Sequence, residues 1–361
     1  MTRGSGLRLL AGWVLLAGCG DDGQTGPAQQ ADTSGTAATA EPDDGVDDDG
    51  DGTAADSTGQ GPPPSGTDDS EDTTGGLESS SGDTTGTPGC APRPDPDAPW
   101  ITDYQADVLA KLTGQAEALP GVTLGVRSSL AARMATGDYL LAELAALGLD
   151  ATEHSYSASG RNVYATLPAT DGSQQLYVIG AHFDTVPASP GANDNATGVA
   201  LVLSVARYLT EVECRSAGVM FVLLDEEEIG LVGSYNFAAF LEDEAYDIVA
   251  VHTIDQMGWD SDGDRAIELE RADAGLFELY DAAEQGLPDV VPLTPTNTGF
   301  TDHVAFRESG FAAVGLTEEF VSGDTTRHYH LSSDALPTVD TAYLRSTTVL
   351  VHEVFGSLVD P

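Results

Sequence analysis

From about Trp100 onward, apolar runs of strand length alternate with stretches of helical spacing, and this alternation constrains the fold more than any other feature of the chain. Residues 162–167 and 175–181 read as strands, 197–209 as a helix, and 218–224 as a strand that is apolar at every position. A helix follows near 231–241, then a strand at 248–254. Residues 266–269 read as an edge strand, 274–285 as a helix, 313–316 as a short strand and 341–358 as a closing helix. Upstream, 103–117 and 128–147 carry helical apolar spacing, with Gly148 as the stop of the second. Strands alternating with helices predict an α/β fold: three layers, α/β/α, with a mostly parallel central sheet flanked by helices. There is no internal repeat, and one domain over 99–361 is the simplest account.

In open α/β sheets, ligands bind beyond the carboxyl ends of the strands. Metal-binding residue types collect at those ends here. The run 175–181 leads into Ala181-His182-Phe183-Asp184, the run 218–224 into Asp225-Glu226-Glu227-Glu228, and the run 248–254 into Asp255. Between the first two lies Gly191-Ala192-Asn193-Asp194-Asn195-Ala196-Thr197-Gly198, a loop opening a helix. Near the C-terminal end stands His328-Tyr329-His330-Leu331-Ser332-Ser333-Asp334. Singly, each has an ordinary explanation: acidic groups favour helix starts, and Asp-Asn-Ala-Thr-Gly suits a turn and N-cap. Their recurrence at successive strand ends points to one site.

The ordered set AHFD, GANDNATG, EEIGLVGS, TIDQMG, TDHVAF and YHLSSD resembles the two-zinc exopeptidase family M28 over residues 100–358. That family includes secreted bacterial leucine aminopeptidases and carboxypeptidase and glutaminyl cyclase relatives. The resemblance implies a zinc-exopeptidase-like fold and two Zn²⁺ per chain. His182 and Asp255 would hold one ion, Glu228 and His330 the other, and Asp194 would bridge them, with a cis bond from Asp194 to Asn195. Asp184 would orient the His182 imidazole, Glu227 would be the general base, and Tyr329 matches a donor to the oxyanion. Two Zn²⁺, three ligating carboxylates and a shared hydroxide sum to no net charge, as a buried site requires. The implied activity is that of a metallo-aminopeptidase, removing N-terminal residues from peptide substrates with free N-termini. A water shared by the metals would attack and Glu227 would accept its proton. Asp302 and His303, in a segment resembling the family's Ser-Asp-His motif with Thr301 for Ser, read equally as pocket or packing residues.

Two other readings share parts of this pattern. One is a glutaminyl cyclase-like enzyme with a single zinc. The other is a non-catalytic acidic surface lipoprotein, against which stand all five ligands and the base. A serine mechanism lacks a Gly-x-Ser-x-Gly elbow.

The region ahead of residue 99 is of another kind. Arg3 and Arg8 precede a short apolar run that ends in Leu16-Ala17-Gly18-Cys19, which resembles a lipoprotein signal with Cys19 as the lipidated residue. The run is too short to span a bilayer. Residues 1–19 are thus expected to be a lipoprotein signal peptide, making the protein an exported envelope lipoprotein anchored in a membrane at Cys19. An ordinary secretory signal with an incidental cysteine gives export all the same. Residues 20–98, rich in Asp, Gly, Ser, Thr and Pro, cannot bury enough apolar surface to order themselves and read as a disordered acidic linker. Cys90 and Cys214 either pair, stapling that linker to the domain, or stand as free thiols.

Of the net charge of -45, 20–98 carries -18 and 99–361 carries -29, with Arg3 and Arg8 adding +2. Such a chain repels nucleic acid, so no nucleic-acid partner is expected. Two acidic stretches, 47–58 in the linker and the turn of Asp260, Asp262 and Asp264, are weak candidates for Ca²⁺; solvated loops are the simpler reading.

Overall fold

The computed structural model describes residues 89–361 other than 274 and 290. The signal segment, Cys19, the 47–58 stretch and most of the linker lie outside the described residues.

Eight strands form one sheet in the order β3-β4-β6-β5-β7-β10-β8-β9. They are β3 (Ala151–Ser155), β4 (Arg161–Leu167), β5 (Gln175–His182), β6 (Gly218–Leu224), β7 (Asp247–Asp255), β8 (Ile267–Glu270), β9 (Leu293–Thr296) and β10 (Ala313–Thr317). The central four, β6, β5, β7 and β10, are mutually parallel. β4 and β8 join them antiparallel, and β9 runs parallel to β8. A separate hairpin pairs β1 (Glu117–Leu119) with β2 (Val122–Thr123).

The apolar runs explain the layers. Every residue of β6 is buried, as a strand covered on both faces must be. On one face lie α1 (Ile101–Leu112), α2 (Leu130–Ala146), α3 (Gly198–Thr210), α5 (Leu276–Glu284) and α7 (Thr341–Val359), with Leu109, Tyr139, Leu203, Tyr280 and Leu350 in one core. On the other lie α4 (Val232–Asp243) and α6 (His303–Glu308), with Phe237, Leu241 and Phe306 against Val178, Val222 and Val251. The mostly parallel α/β/α sandwich expected from the alternation is the observed fold.

Three expectations need correction. The helix read over 103–117 stops at Leu112. Gly114 has φ +77°, and a Cβ there would meet the Leu124 carbonyl oxygen at 2.7 Å, so the chain turns into the β1–β2 hairpin. Residues 266–269 do not form an edge, because β8 lies between β10 and β9. The edge is β9, whose Pro295 has no N–H to give to a further strand. Finally, Cys90 to Ala98 is not linker. Cys90 is disulfide-bonded to Cys214, Arg93 pairs with Glu353 of α7 at 3.2 Å, and Ala98 is buried. None of the helices among the described residues is long and apolar enough to cross a membrane.

Candidate metal centre

The chain passes from β5 through α3 to β6 on one side of β5, then through α4 to β7 on the other. That reversal opens a crevice at the carboxyl ends of these strands. His182 is the last residue of β5, Asp255 the last of β7, and Glu227 and Glu228 follow the end of β6. Asp194 comes from the turn Ala192–Thr197 that starts α3, and the peptide bond from Asp194 to Asn195 is cis. His330 arrives from the loop ahead of α7.

These side chains gather into two triads that share Asp194: His182, Asp194 and Asp255, and Asp194, Glu228 and His330. His182 Nε2 lies 3.4 Å from Asp194 Oδ1 and 3.4 Å from Asp255 Oδ1. His330 Nε2 lies 3.3 Å from Asp194 Oδ2 and 3.1 Å from Glu228 Oε2. A tetrahedral zinc bonded at about 2.0–2.1 Å holds its ligands about 3.3–3.4 Å apart; the histidine–carboxylate edges of both triads are close to that length, and the ligand atoms of each triad all lie within 4.8 Å of one another. His182 Nε2 and Asp255 Oδ1 are buried and make no hydrogen bond, which a metal would resolve. Nitrogen and carboxylate donors suit zinc. The residues therefore fit a pair of zinc ions.

The electrostatics agree. Burial pulls the His182 pKa down, but Glu227 and Asp255 outweigh it and hold the ring well above its ordinary value. Burial would raise Asp194, yet the two imidazoles bring it down to about 2. A field that calls this strongly for protons also attracts metal ions, whose binding displaces them. Burial, then Asp302 and Asp255, push Glu227 well above the ordinary carboxylate range. Glu227 Oε2 stands 4.0 Å from His182 Nε2 and its side chain lines the cleft.

Around the donors is a frame of hydrogen bonds. Asp184 accepts from the backbone N–H of Glu227 at 3.1 Å and of Glu228 at 3.2 Å, and its Oδ1 lies 3.4 Å from His182 Nδ1. One carboxylate thus fixes the acidic turn and lies beside the ring. Asp225 and Glu226 face away from the donors, held by Arg133 at 2.8 and 2.7 Å. Three residues at or beside the donors hold left-handed backbone without being glycine: Glu226 (φ 60°), Gln256 (φ 49°) and His330 (φ 58°). Such conformations persist where the surroundings over-determine them. Tyr329 is 39% exposed, stacks on His330 at 3.8 Å and lines the cleft. Asp302 and His303 are buried at the start of α6 and do not line the cleft themselves.

Three residues of the frame are absent from the sequence-level set. Asp334 accepts from Asn193 N at 2.8 Å and Asp194 N at 3.1 Å; it was in view as the last residue of YHLSSD. Glu318 accepts from Asn193 Nδ2 at 3.0 and 2.9 Å, and it directly follows β10, where the strand-end rule that found Asp255 also points. Arg127 is fully buried and donates to the carbonyls of Phe183, Leu112, Gly125, Pro190 and Gly191. Burial lowers its pKa to about 10. No local pattern marks it. The Asp-rich turn does bring Asp260 and Asp262 near Asp324, but Asp324 is occupied by Trp259 Nε1 and Ser261 N–H.

An α/β/α sandwich with a doubled histidine–carboxylate donor set at its carboxyl edge has the layout of the zinc-exopeptidase class. The chain belongs to Peptidase family M28, whose family model matches residues 162–355. It is similar to aminopeptidase YwaD of Bacillus subtilis, with 26% identity over 184 residues, 49% of this chain and 39% of that protein. It is 35% identical over 126 residues to the probable lipoprotein aminopeptidase LpqL of Mycobacterium tuberculosis, 33% of this chain and 25% of that one. The matched stretches thus span well under half the length of either relative. Among solved structures, the LapA aminopeptidase of Legionella pneumophila shares the fold with a TM-score of 0.65 and 19% identity, over 72% of this chain and 70% of that one.

Proposed function

We propose that the protein is an exported zinc aminopeptidase. The observation that carries the reading is the pair of triads sharing Asp194, with Glu227 Oε2 beside them, 4.0 Å from His182 Nε2. His182, Asp194 and Asp255 would hold one zinc, and Asp194, Glu228 and His330 the other. When bound, the ions would polarise the scissile carbonyl and acidify water. The other steps belong to side chains. Glu227 takes the proton of the attacking water and hands it to the leaving amine. Asp184 keeps the His182 ring oriented and fixes the turn that presents Glu227. Tyr329, at the rim of the cleft, donates to the oxygen that gains charge. The acidic lining favours the ammonium of a free N-terminus, which is the polarity the named relatives share. Export through residues 1–19 and anchoring at a lipidated Cys19 belong to the same reading, supported by the lipobox-like sequence and by the lipoprotein relative.

Metal content and an assay on matched peptides test it. Two zincs per chain with cleavage of free but not N-acetylated peptides is the expected result. One zinc with pyroglutamate formed from N-terminal glutamine would replace it with the cyclase reading. Palmitate incorporation abolished by Cys19→Ala tests the anchor.

A further inference from the structure

The cleft beside the metal donors contains an acidic group with no part in the chemistry above. Glu270, the last residue of β8, lines it together with Thr301, Phe300, Phe320 and Tyr329. Glu270 pairs across the sheet with Gly315 of β10, and Gly315 pairs with Thr253 of β7. Paired residues share a face, as do residues two apart, so Glu270 is on the same face as Asp255. It lies two strands from it, roughly 10 Å across the sheet. A Cβ at Gly315 would meet Glu270 Oε2 at 2.7 Å. The missing side chain therefore lets the carboxylate lie over β10, toward the donors.

Its protonation partners are fixed. Thr301 Oγ1 donates to Glu270 Oε2 at 2.7 Å and accepts from His303 Nδ1 at 2.8 Å. Burial lowers the His303 pKa to about 4, so the ring is neutral and adds no charge. Glu270 is 1% exposed, and among the described residues no lysine or arginine nitrogen pairs with it. No lysine or arginine lines the cleft either. Burial pushes the Glu270 carboxyl up to about 7. Arg271 acts on it only from beyond pairing distance; a buried carboxylate without a directly paired cation is costly, and a cation arriving with the substrate would relieve that cost.

We propose that Glu270 is a specificity residue that receives the side-chain cation of a lysine or arginine at the first position of the peptide. The aliphatic stem of that residue lies between the rings of Phe300, Phe320 and Tyr329 at the mouth, as long cationic side chains do on apolar surfaces. The α-amine is not the group Glu270 meets. It is one carbon from the scissile carbonyl and must stay beside Asp194, Glu227 and Asp255, two strands away. The inference rests on the aminopeptidase reading.

Lysine and norleucine differ by the ammonium group and little else, so the pair isolates it. With the zinc-loaded full-length protein, kcat/KM for a lysyl p-nitroanilide should exceed that for the norleucyl analogue by about 10- to 100-fold, the scale of a charge-assisted contact in a desolvated pocket. In Glu270→Gln the ratio should fall to near one, with zinc content retained. Calorimetric binding of free lysine and free norleucine should show the same preference in the wild type and lose it in the variant, independently of turnover. Equal rates and equal binding for the two in the wild type would overturn the proposal while norleucyl turnover left the aminopeptidase standing. A ratio that survives Glu270→Gln would also overturn it. Lysine preference in binding without hydrolysis of either substrate would sink the aminopeptidase reading and keep the cation site.

Discussion

At the scale of single residues, the division of labour within Asp225-Glu226-Glu227-Glu228 is the sharpest consequence of the structure. Four adjacent acids follow one strand, and only backbone direction separates their roles. Asp225 and Glu226 are turned onto Arg133, Glu228 toward His330, and Glu227 toward the cleft. Glu227→Gln should keep the shape and the metals and remove the base. The expected outcome is a fall in kcat of about 10²- to 10⁴-fold, the usual contribution of general base catalysis, with zinc content unchanged by elemental analysis. Loss of zinc along with rate would show that Glu227 is a ligand. Asp184→Ala acts through the ring and the turn it holds, so it should weaken zinc binding about 10- to 100-fold, as loss of a partner that orients a metal-bound histidine does. A chelator competition measures it. The five candidate ligands were legible because each ends a strand or sits in a recognisable motif. Arg127 was not, since its value lies in five carbonyls brought together by the fold rather than in its neighbours along the chain.

At the scale of elements, the strands and long helices were legible because their apolar period is strong and uninterrupted. The segments that escaped are those whose conformation depends on contacts far away in sequence. Residues 293–296 contain a proline and little apolar surface, and become a strand because β8 offers them an edge. The turn Ala192–Thr197, which its motif does mark in the sequence, is also held from outside. Asp334 accepts two of its N–H groups, Glu318 accepts from its Asn193 amide, and Asn195 Nδ2 donates to the Ile254 carbonyl at 2.8 Å. This turn carries the residue shared by both triads, so loosening it should weaken both zinc sites together. Asp334→Ala leaves the N–H groups of Asn193 and Asp194 without acceptors, at a cost of about 1–3 kcal/mol for each buried group left unpaired. The expected result is a parallel loss of both zincs in a chelator titration. Sequential loss of one ion at wild-type affinity for the other would mean that the turn is held without Asp334.

At the scale of the whole molecule, the chain from Cys90 to Ala98 straps α3 and α7 together. Its anchors are the disulfide to Cys214, the Tyr208 hydroxyl on the Pro94 carbonyl at 3.1 Å, and His352 Nδ1 on the Pro96 carbonyl at 2.8 Å. His352 also stacks on Tyr208 with ring centres 4.5 Å apart. Burial lowers the His352 pKa to about 4, against about 6.5 in an unfolded chain. Between those two values the unfolded state binds a proton that the folded state refuses. Stability from this residue is therefore complete above about pH 6.5 and is lost as the pH falls toward 4. Between pH 7 and pH 5 the loss is on the order of 2 kcal/mol, because each tenfold difference in proton affinity is worth about 1.4 kcal/mol and most of the difference is felt in that interval. Buried carboxyls act in the opposite sense. Glu270 and Asp225, raised to about 7 by burial, hold protons in the fold that the unfolded chain has released, so acidification favours the fold through them. The net curve of the wild type thus hides the histidine, and a difference between two proteins exposes it. His352→Phe retains a ring for the stack but cannot titrate. It should be less stable than the wild type at pH 7, for want of the bond to Pro96, yet lose about 2 kcal/mol less on going to pH 5. Urea unfolding of both proteins at the two pH values, with the disulfide kept oxidised, measures the difference. Parallel pH dependences would show that His352 is protonated in the fold as readily as in the unfolded chain, and that the strap is held without its neutral ring.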